Sequence, residues 1–161
     1  MKIVAVLHDI RSLHNVGSVF RTADGAGVEK IYLCGITPAP FDRLKNLRQD
    51  FAKVALGAEE YIPWESIKTT RAAIKKLKEE GYSIFAIEQS RRSVPFYKAR
   101  IKKYSKIALV LGNEVKGLPS SLLSLADETL EIPMLGKKES LNVAVAFGVV
   151  AFGLRARERA A

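Results

Sequence analysis

The chain has 161 residues, enough to bury a hydrophobic core and short enough to form a single domain. Its 48% hydrophobic content excludes an intrinsically disordered chain, and its single cysteine excludes a disulfide framework or a cysteine-based metal cluster. The 26 Lys and Arg residues against 17 Asp and Glu residues give a net charge of +9, which favours a polyanionic partner, nucleic acid before membrane. A basic protein without such a partner is the alternative.

Targeting signals are not predicted. The apolar run at the N-terminus is too short for a signal peptide, and the longest apolar stretch, residues 143–154, is too short to span a bilayer. The lone Cys34 fits a reducing compartment. We therefore predict a cytoplasmic protein without a membrane segment.

Apolar runs alternate with helical patterns along the chain. Several runs consist almost entirely of Ile, Val, Leu and Ala, as is typical of strands buried on both faces of a parallel sheet. The predicted strands are residues 2–7, 30–34, 83–88, 106–112 and 129–134. The predicted fold class is therefore α/β, with a mostly parallel sheet and a single domain over residues 1–161.

The intervening patterns predict helices with recognisable ends. Helical spacing of apolar residues, or a capping residue, indicates helices over residues 15–25, 41–56, 66–81, 120–127 and from 140 to the end. Asn15 and Ser66 are expected to cap two of them, Gly81 to stop one, and Ser140 to open the last.

The last predicted helix has an unusual composition. Every residue from Val143 to Leu154 is apolar or glycine, so no polar stripe faces water. Such a helix is normally buried on all sides, which is difficult for a terminal helix of a small domain. We predict that a second copy of the chain covers it in a symmetric dimer; burial entirely within one monomer is the alternative.

The segment HNVGSVFRTADGAG, residues 14–27, is the first candidate for a functional site. Its predicted core face is formed by Val16, Val19, Phe20 and Ala23. Gly17 and Arg21 share another face, with Asp24 beside them. We expect Gly17 to leave room for a substrate group next to the Arg21 guanidinium. An ordinary surface arginine paired with Asp24 is the alternative.

The second candidate is LVLGNEVKGL, residues 109–118. Gly112 and Gly117 have the spacing of a phosphate-binding loop, but a leucine and a proline follow where Lys and Ser or Thr are required. What remains is a strand that ends in a polar turn carrying Asn113 and Glu114. That edge of an open α/β sheet is where ligands bind, and a solvated turn is the alternative.

The third candidate is EIPMLGKKESLNVAVAFG, residues 131–148. A predicted strand ends near Pro133, a loop follows, and Ser140 and Asn142 lie at the start of the terminal helix. A helix N-terminus offers free backbone N–H groups and a partial positive charge. Both side chains could instead serve only as helix caps.

A basic segment lies between Gln89 and Lys106. It holds seven basic residues without an acidic one: Arg91, Arg92, Lys98, Arg100, Lys102, Lys103 and Lys106. Phe96, Tyr97 and Tyr104 are interleaved, and basic groups with aromatic platforms suit single-stranded RNA. A solvated basic loop is the alternative.

In this order, the three candidates resemble the motifs of the SpoU/TrmH family of SPOUT methyltransferases. The first motif matches at Asn15, Gly17, Ser18 and Arg21. The second matches at Gly112, Asn113, Glu114 and Gly117. The third matches at Ile132, Pro133, Met134, Ser140, Leu141, Asn142 and Val143. The resemblance covers essentially the whole chain, and three ordered motifs are specific together.

The resemblance implies an activity and an assembly that the pattern of residues does not reveal. It implies S-adenosylmethionine as the methyl donor and ribose 2′-hydroxyls of tRNA or rRNA as acceptors. We predict tRNA over rRNA as the substrate, and no metal. The resemblance also implies a homodimer whose active site is completed across the interface. A trefoil knot near the C-terminus is implied too, although general topology rules argue against one.

The expected site residues fall into three groups. The cofactor contacts and the catalytic residues are carried over by position, whereas the RNA contacts other than Arg21 come from the basic segment. The expected cofactor contacts are Ile87, Glu88, Leu111, Gly112, Ile132, Met134, Ser140 and Leu141. The expected catalytic residues are Asn15, Arg21, Glu114, Ser140 and Asn142. The expected RNA contacts are Arg21, Arg91, Arg92, Lys98, Arg100, Lys102 and Lys103. The resemblance implies Arg21 as the base in the family's usual proposal, but an arginine is effectively always protonated. We therefore expect Arg21 to stabilise the developing alkoxide or grip the adjacent phosphate, and proton removal to pass to a phosphate, water or Glu114.

Two departures and two rival functions accompany the resemblance. Ala144 stands where relatives often carry Ser, and no added RNA-binding domain is seen, so the basic segment is expected to supply most of the grip on RNA. A catalytically silent RNA-binding module is one rival, although every motif residue is retained. A Rossmann-type oxidoreductase is the other, but no G-x-G-x-x-G follows any predicted strand.

Overall fold

A computed structural model describes residues 1–101 and 104–160 and contains one seven-stranded sheet, in the order β3-β2-β1-β6-β4-β7-β5. The strands are β1 (Lys2–His8), β2 (Lys30–Cys34), β3 (Trp64–Ile67), β4 (Ser83–Ile87), β5 (Val94–Pro95), β6 (Lys106–Leu111) and β7 (Glu128–Glu131). Every strand pair within this described sheet is parallel, which confirms the predicted fold class. The implied knot stays a prediction.

Helices cover both faces of the sheet. They are α1 (Leu13–Gly25), α2 (Gln49–Ala55), α3 (Ala58–Tyr61), α4 (Thr70–Glu79), α5 (Ser120–Leu123) and α6 (Val143–Arg159). On β1, Ile3 and Leu7 belong to the core beneath α1 and α6, whereas Val4 and Val6 belong to the core beneath α4. This two-sided burial explains why the central strands are continuous apolar runs.

The N-terminus of α1 differs from the prediction. Ser12, not Asn15, is the N-cap, and its hydroxyl accepts a hydrogen bond from the Asn15 backbone N–H at 3.2 Å. Asn15 lies one turn further in, and its buried side chain is bound to Glu114 instead. The helix therefore begins earlier because the serine supplies the cap.

The predicted helix over residues 41–56 is wrong in its first half. Only Gln49–Ala55 is helical, and an antiparallel bridge between Phe41 and Leu47 closes a loop before it. The Asp42 carboxylate accepts from the backbone N–H groups of Leu44 and Asn46, at 2.8 and 2.9 Å. Such local side-chain contacts compete with helix formation, and they leave Leu44 81% exposed.

The predicted helix over residues 66–81 also starts too early. Thr69 caps α4 by accepting from the Ala72 backbone N–H at 3.2 Å, so Ser66 is not the cap. Ser66 instead lies in β3, which pairs with β2 and was not predicted because its four residues lack an apolar run. Gly81 has a φ of +82° just after the helix, as predicted for its stop.

The terminal helix α6 is only partly buried. Asn142 caps it, through a hydrogen bond from the Ala144 N–H to the Asn142 side chain at 2.9 Å, so Ser140 lies before the helix and does not open it. Three of its apolar residues remain exposed, in fractions of 51% for Val145, 37% for Val149 and 50% for Phe152. We call these three residues the apolar stripe. No helix in the described ranges is long and apolar enough to cross a membrane.

Candidate active site

A cavity of about 220 Å³ opens at the carboxyl edge of the sheet, where β4, β6 and β7 end. We call it the first cavity. Its lining includes all of the residues expected to contact the cofactor: Ile87, Glu88, Leu111, Gly112, Ile132, Met134, Ser140 and Leu141. The carboxyl edge of a parallel sheet is the usual place for a ligand. The fold thus brings these residues together, and their role as cofactor contacts stays a prediction.

The turn after β6 is shaped by two glycines. A Cβ on Gly112 would overlap the Gly117–Leu118 peptide, and a Cβ on Gly117 would overlap the Glu88 carboxylate. Gly117 also has a φ of +63°, which side chains disfavour. The Glu88 carboxylate accepts from the Leu118 backbone N–H at 2.8 Å and so ties the turn to the end of β4.

A polar network connects the three sequence motifs beside this cavity. The Glu114 carboxylate accepts hydrogen bonds from the Arg11 and Ser12 backbone N–H groups and from the Asn15 side-chain amide, each at 3.0 Å. The Asn142 side-chain amide donates to the Asn15 Oδ1 at 3.0 Å. Asn15, Glu114 and Asn142 therefore form one chain of contacts between α1, the turn after β6 and the start of α6.

The protonation of Glu114 follows from these contacts. Partial burial by itself raises its pKa, but the hydrogen bonds donated by Arg11, Ser12 and Asn15 outweigh burial and hold the pKa of Glu114 below its ordinary value. The side chain is therefore a carboxylate at neutral pH and a weak base. This geometry suits a residue that positions Asn15 better than one that removes a proton.

Arg21 does not reach the first cavity of its own chain. Its side chain is exposed, does not line the cavity, and makes no hydrogen bond or ion pair with any described residue, Asp24 included. The expectation about Gly17 is wrong, because a Cβ there would lie 3.1 Å from the Phe51 carbonyl oxygen and 3.3 Å from Val54. The space at Gly17 is filled by α2, so this glycine permits helix packing and leaves no room for a substrate.

The basic segment is a free cationic surface where it is described. Arg91, Arg92, Lys98 and Arg100 are exposed, and their side chains have no bonded partner among residues 1–101 and 104–160. Lys102 and Lys103 lie outside the described residues. Lys106 is different, because its Nζ donates to the Glu80 carbonyl oxygen at 2.8 Å.

The aromatic residues of this segment are mostly structural. The Phe96 ring packs against α6 at Gly153, where a Cβ would overlap it. The Tyr104 hydroxyl donates to Glu128 at 3.2 Å, and its ring contacts Phe85 edge-on. Only Tyr97, half exposed, remains as a platform. The expectation of three free aromatic platforms is therefore wrong for two of them, because these rings are used in packing.

Sequence reasoning missed residues that frame the site. The Gln89 side-chain amide donates to the Glu139 carbonyl oxygen at 2.6 Å and joins two loops at the cavity mouth. Arg157 donates to the carbonyl oxygens of Phe96 and Ala99, at 3.0 and 2.7 Å, and so anchors the basic segment to α6. Gln89 could have been found from the sequence, because it directly follows Glu88, a predicted cofactor contact. No sequence pattern indicated Arg157. Within the described part of the chain, no cluster of His, Cys, Asp and Glu could hold a metal ion.

Fold and site together define an α/β protein with a ligand site at the carboxyl edge of a parallel sheet. The model of the SpoU rRNA Methylase family matches residues 2–152. The chain belongs to that family.

Known proteins of this kind are similar to the chain over nearly its full length. The 23S rRNA (guanosine-2'-O-)-methyltransferase RlmB of Ralstonia nicotianae is 33% identical over 150 residues, which are 93% of this chain and 57% of that protein. The chain thus spans little more than half the length of this curated relative.

Solved structures agree with this likeness. The AdoMet-bound rRNA methyltransferase of Sinorhizobium meliloti superimposes with a TM-score of 0.86 at 29% identity, covering 97% of this chain and 56% of that one. A structure concerned with 2-OH methylation of C/U34 on tRNA superimposes with a TM-score of 0.83 at 28% identity, covering 99% and 98% of the two chains.

Proposed function

We propose that this protein transfers a methyl group from S-adenosylmethionine to a ribose 2′-hydroxyl of RNA. The observation that carries the proposal is the network of Asn15, Glu114 and Asn142, which unites the three motifs beside one cavity. The methyltransferase names of the relatives support the same reaction. Relatives act on both rRNA and tRNA, and we favour tRNA because the chain matches the tRNA-related structure over nearly the full length of both chains.

The lining of the first cavity fits the proposed methyl donor. Leu111, Ile132 and Met134 provide apolar walls, and the strand ends add backbone polar groups. Glu88 and Glu131 place carboxylates in the lining, which suits a ligand that carries positive charge. S-adenosylmethionine combines a base with flat aromatic faces and a polar edge, a polar ribose and a sulfonium that supplies the methyl group. Methyl transfer requires that the lining residues place this group in line with the acceptor oxygen.

The proposed active form is a homodimer. The apolar stripe gives α6 an uncovered face, and Phe152 lies against α1, where a Cβ on Gly25 would be 3.3 Å from its ring. A two-fold contact through this stripe would bring α1 of a second copy close to α6 of the first. We infer that Arg21 acts on the first cavity of the second copy, where its cation stabilises the developing alkoxide or grips the adjacent phosphate.

Residues 1–161 act in this proposal as one methyltransferase domain, and the basic segment supplies the grip on RNA. Its exposed cations double in a dimer and attract the phosphate backbone. The proposed RNA substrates imply a cytoplasmic protein.

Tritium transfer tests the proposed reaction. Purified protein is incubated with methyl-labelled S-adenosylmethionine and bulk tRNA or rRNA, and label in RNA is mapped to 2′-O-methyl nucleotides. Incorporation is expected in tRNA. Binding of S-adenosylhomocysteine and RNA without any transfer would instead identify a catalytically silent RNA-binding module.

Replacing Arg91 and Arg92 together with Ala is expected to weaken RNA binding through lost phosphate contacts. The slope of log affinity against log salt should flatten by up to about 0.7 per lost contact on a single strand. Filter binding of bulk tRNA at several salt concentrations measures this slope. Lys75→Ala is the control, because Lys75 is an exposed cation on the outer side of α4. A slope equal to that of the control would mean that RNA follows another surface.

A further inference from the structure

A second cavity lies at the same edge of the sheet, beside the first. It has a volume of about 420 Å³ and is lined by residues at or after the ends of β1, β2 and β6. Asn113, Val115 and Gly117 line both cavities, so the turn after β6 forms their common wall. None of the residues particular to this cavity was expected to bind cofactor or RNA.

Two cationic side chains, Arg11 and Lys116, line this second cavity. Arg11 and Lys116 are exposed, and neither side chain has a bonded partner in the described part of the chain. The Arg11 backbone N–H is held by Glu114 at 3.0 Å, so the guanidinium extends from a fixed point of the polar network. His8 also lines the cavity, with its Nδ1 fixed 2.7 Å from the Thr70 hydroxyl. Asp9 is the one acidic side chain in the lining.

Asp9 has a strained backbone that shapes this cavity. Its φ is +50°, in the left-handed region that non-glycine residues disfavour. Contacts from two sides hold it there: the Ile36 N–H donates to its Oδ1 at 3.0 Å, and the Asn113 side chain donates to its carbonyl oxygen at 2.7 Å. Strain of this kind persists only where the surroundings impose it, and it clusters at ligand sites.

The rim of the second cavity is apolar. Ile36 is 67% exposed and Val115 is 81% exposed, and both belong to the lining. Such side chains gain little from water but can cover the flat face of a base. The lining therefore combines cations for a phosphate with aliphatic groups for a base, which is the recognition chemistry of a nucleotide.

We propose that the second cavity binds one nucleotide of the substrate RNA, a neighbour of the nucleotide that is methylated. Arg11 and Lys116 bind its phosphate, and Ile36 and Val115 contact its base. The shared wall at Val115 keeps this nucleotide next to the first cavity, so the contact positions the target ribose. The inference rests on the proposed function, because it assigns the second cavity to the RNA of that reaction.

The test is RNA binding by Arg11→Ala, Lys116→Ala and Ile36→Ser, with bulk tRNA as the probe. Each charge variant is expected to flatten the salt slope by about 0.7, the value of one single-strand phosphate contact. Ile36→Ser should leave the slope unchanged and weaken binding about four-fold, which corresponds to one buried methylene-sized contact. Affinity for S-adenosylhomocysteine should stay at the wild-type value in all three, which also verifies folding. Lys75→Ala is the matched control.

Methyl transfer by the same proteins separates the two proposals. Wild-type protein that binds tRNA without transferring methyl groups would contradict the proposed reaction, while its binding data would still test the second cavity. Variants that bind tRNA like Lys75→Ala would overturn the nucleotide site, whatever the wild-type activity. An altered salt slope in the charge variants with no effect of Ile36→Ser would indicate a bare phosphate contact, and it too would overturn the nucleotide site.

Discussion

Replacing Arg21 with Ala is expected to lower methyl transfer by roughly two or more orders of magnitude, as follows when a charged transition-state contact is lost. Affinity for S-adenosylmethionine should change by less than about threefold, under roughly 0.7 kcal/mol, because the proposal assigns Arg21 to the RNA alkoxide or phosphate and not to the cofactor. The fold should survive, since the side chain is exposed on α1. Single-turnover transfer to tRNA and titration with S-adenosylhomocysteine measure the two effects.

Mixing Arg21→Ala with Asn142→Ala, which we expect to be inactive because it breaks the contact between Asn142 and Asn15, then decides which cavity Arg21 serves. Arg21→Ala and Asn142→Ala chains are refolded together in equal amounts, so half of the dimers carry one chain of each kind. If Arg21 acts on the second copy, each mixed dimer has one intact site, and the mixture recovers about a quarter of wild-type activity. No recovery would place Arg21 with its own cavity. Loss of cofactor binding in Arg21→Ala would instead assign the residue to the cofactor pocket.

Introducing a carboxylate into the apolar stripe is expected to abolish the dimer. Val149→Glu and Phe152→Glu each place a charge on the exposed face of α6, where the partner would bury it unpaired at a cost of several kcal/mol. Both residues are already partly exposed in the monomer, so each chain should still fold. Sedimentation should detect monomers, and methyl transfer should fall with the dimer because each site needs a second copy.

Leu44→Glu is the control for these stripe variants. Leu44 is 81% exposed in the loop before α2, so it receives the same charge away from α6. This variant should remain dimeric and active. If Val149→Glu and Phe152→Glu also sediment as dimers of wild-type stability, the interface does not use the apolar stripe.

The amino-acid composition of the central strands is sufficient to predict that they are buried strands. β1, β2, β4 and β6 are apolar runs because parallel strands are buried on both faces, and this composition is visible without coordinates. The short β3 carries no such signal, and its pairing with β2 decides its structure. Residues 41–48 have helical spacing but form a loop, because Asp42 binds their backbone.

The candidate site likewise has a part that the sequence predicts and a part that only the tertiary structure decides. The motif residues can be identified from the sequence, because each motif lies within one short segment and the three segments follow one another in a specific order. Their contacts cannot, since Asn15 is 99 positions from Glu114 and 127 from Asn142. Only the packed sheet, which aligns the carboxyl ends of strands distant in sequence, joins them in one network. The same packing closes α2 over Gly17, because Phe51 and Val54 of α2 occupy the space beside it, and Arg21 stays exposed outside the first cavity.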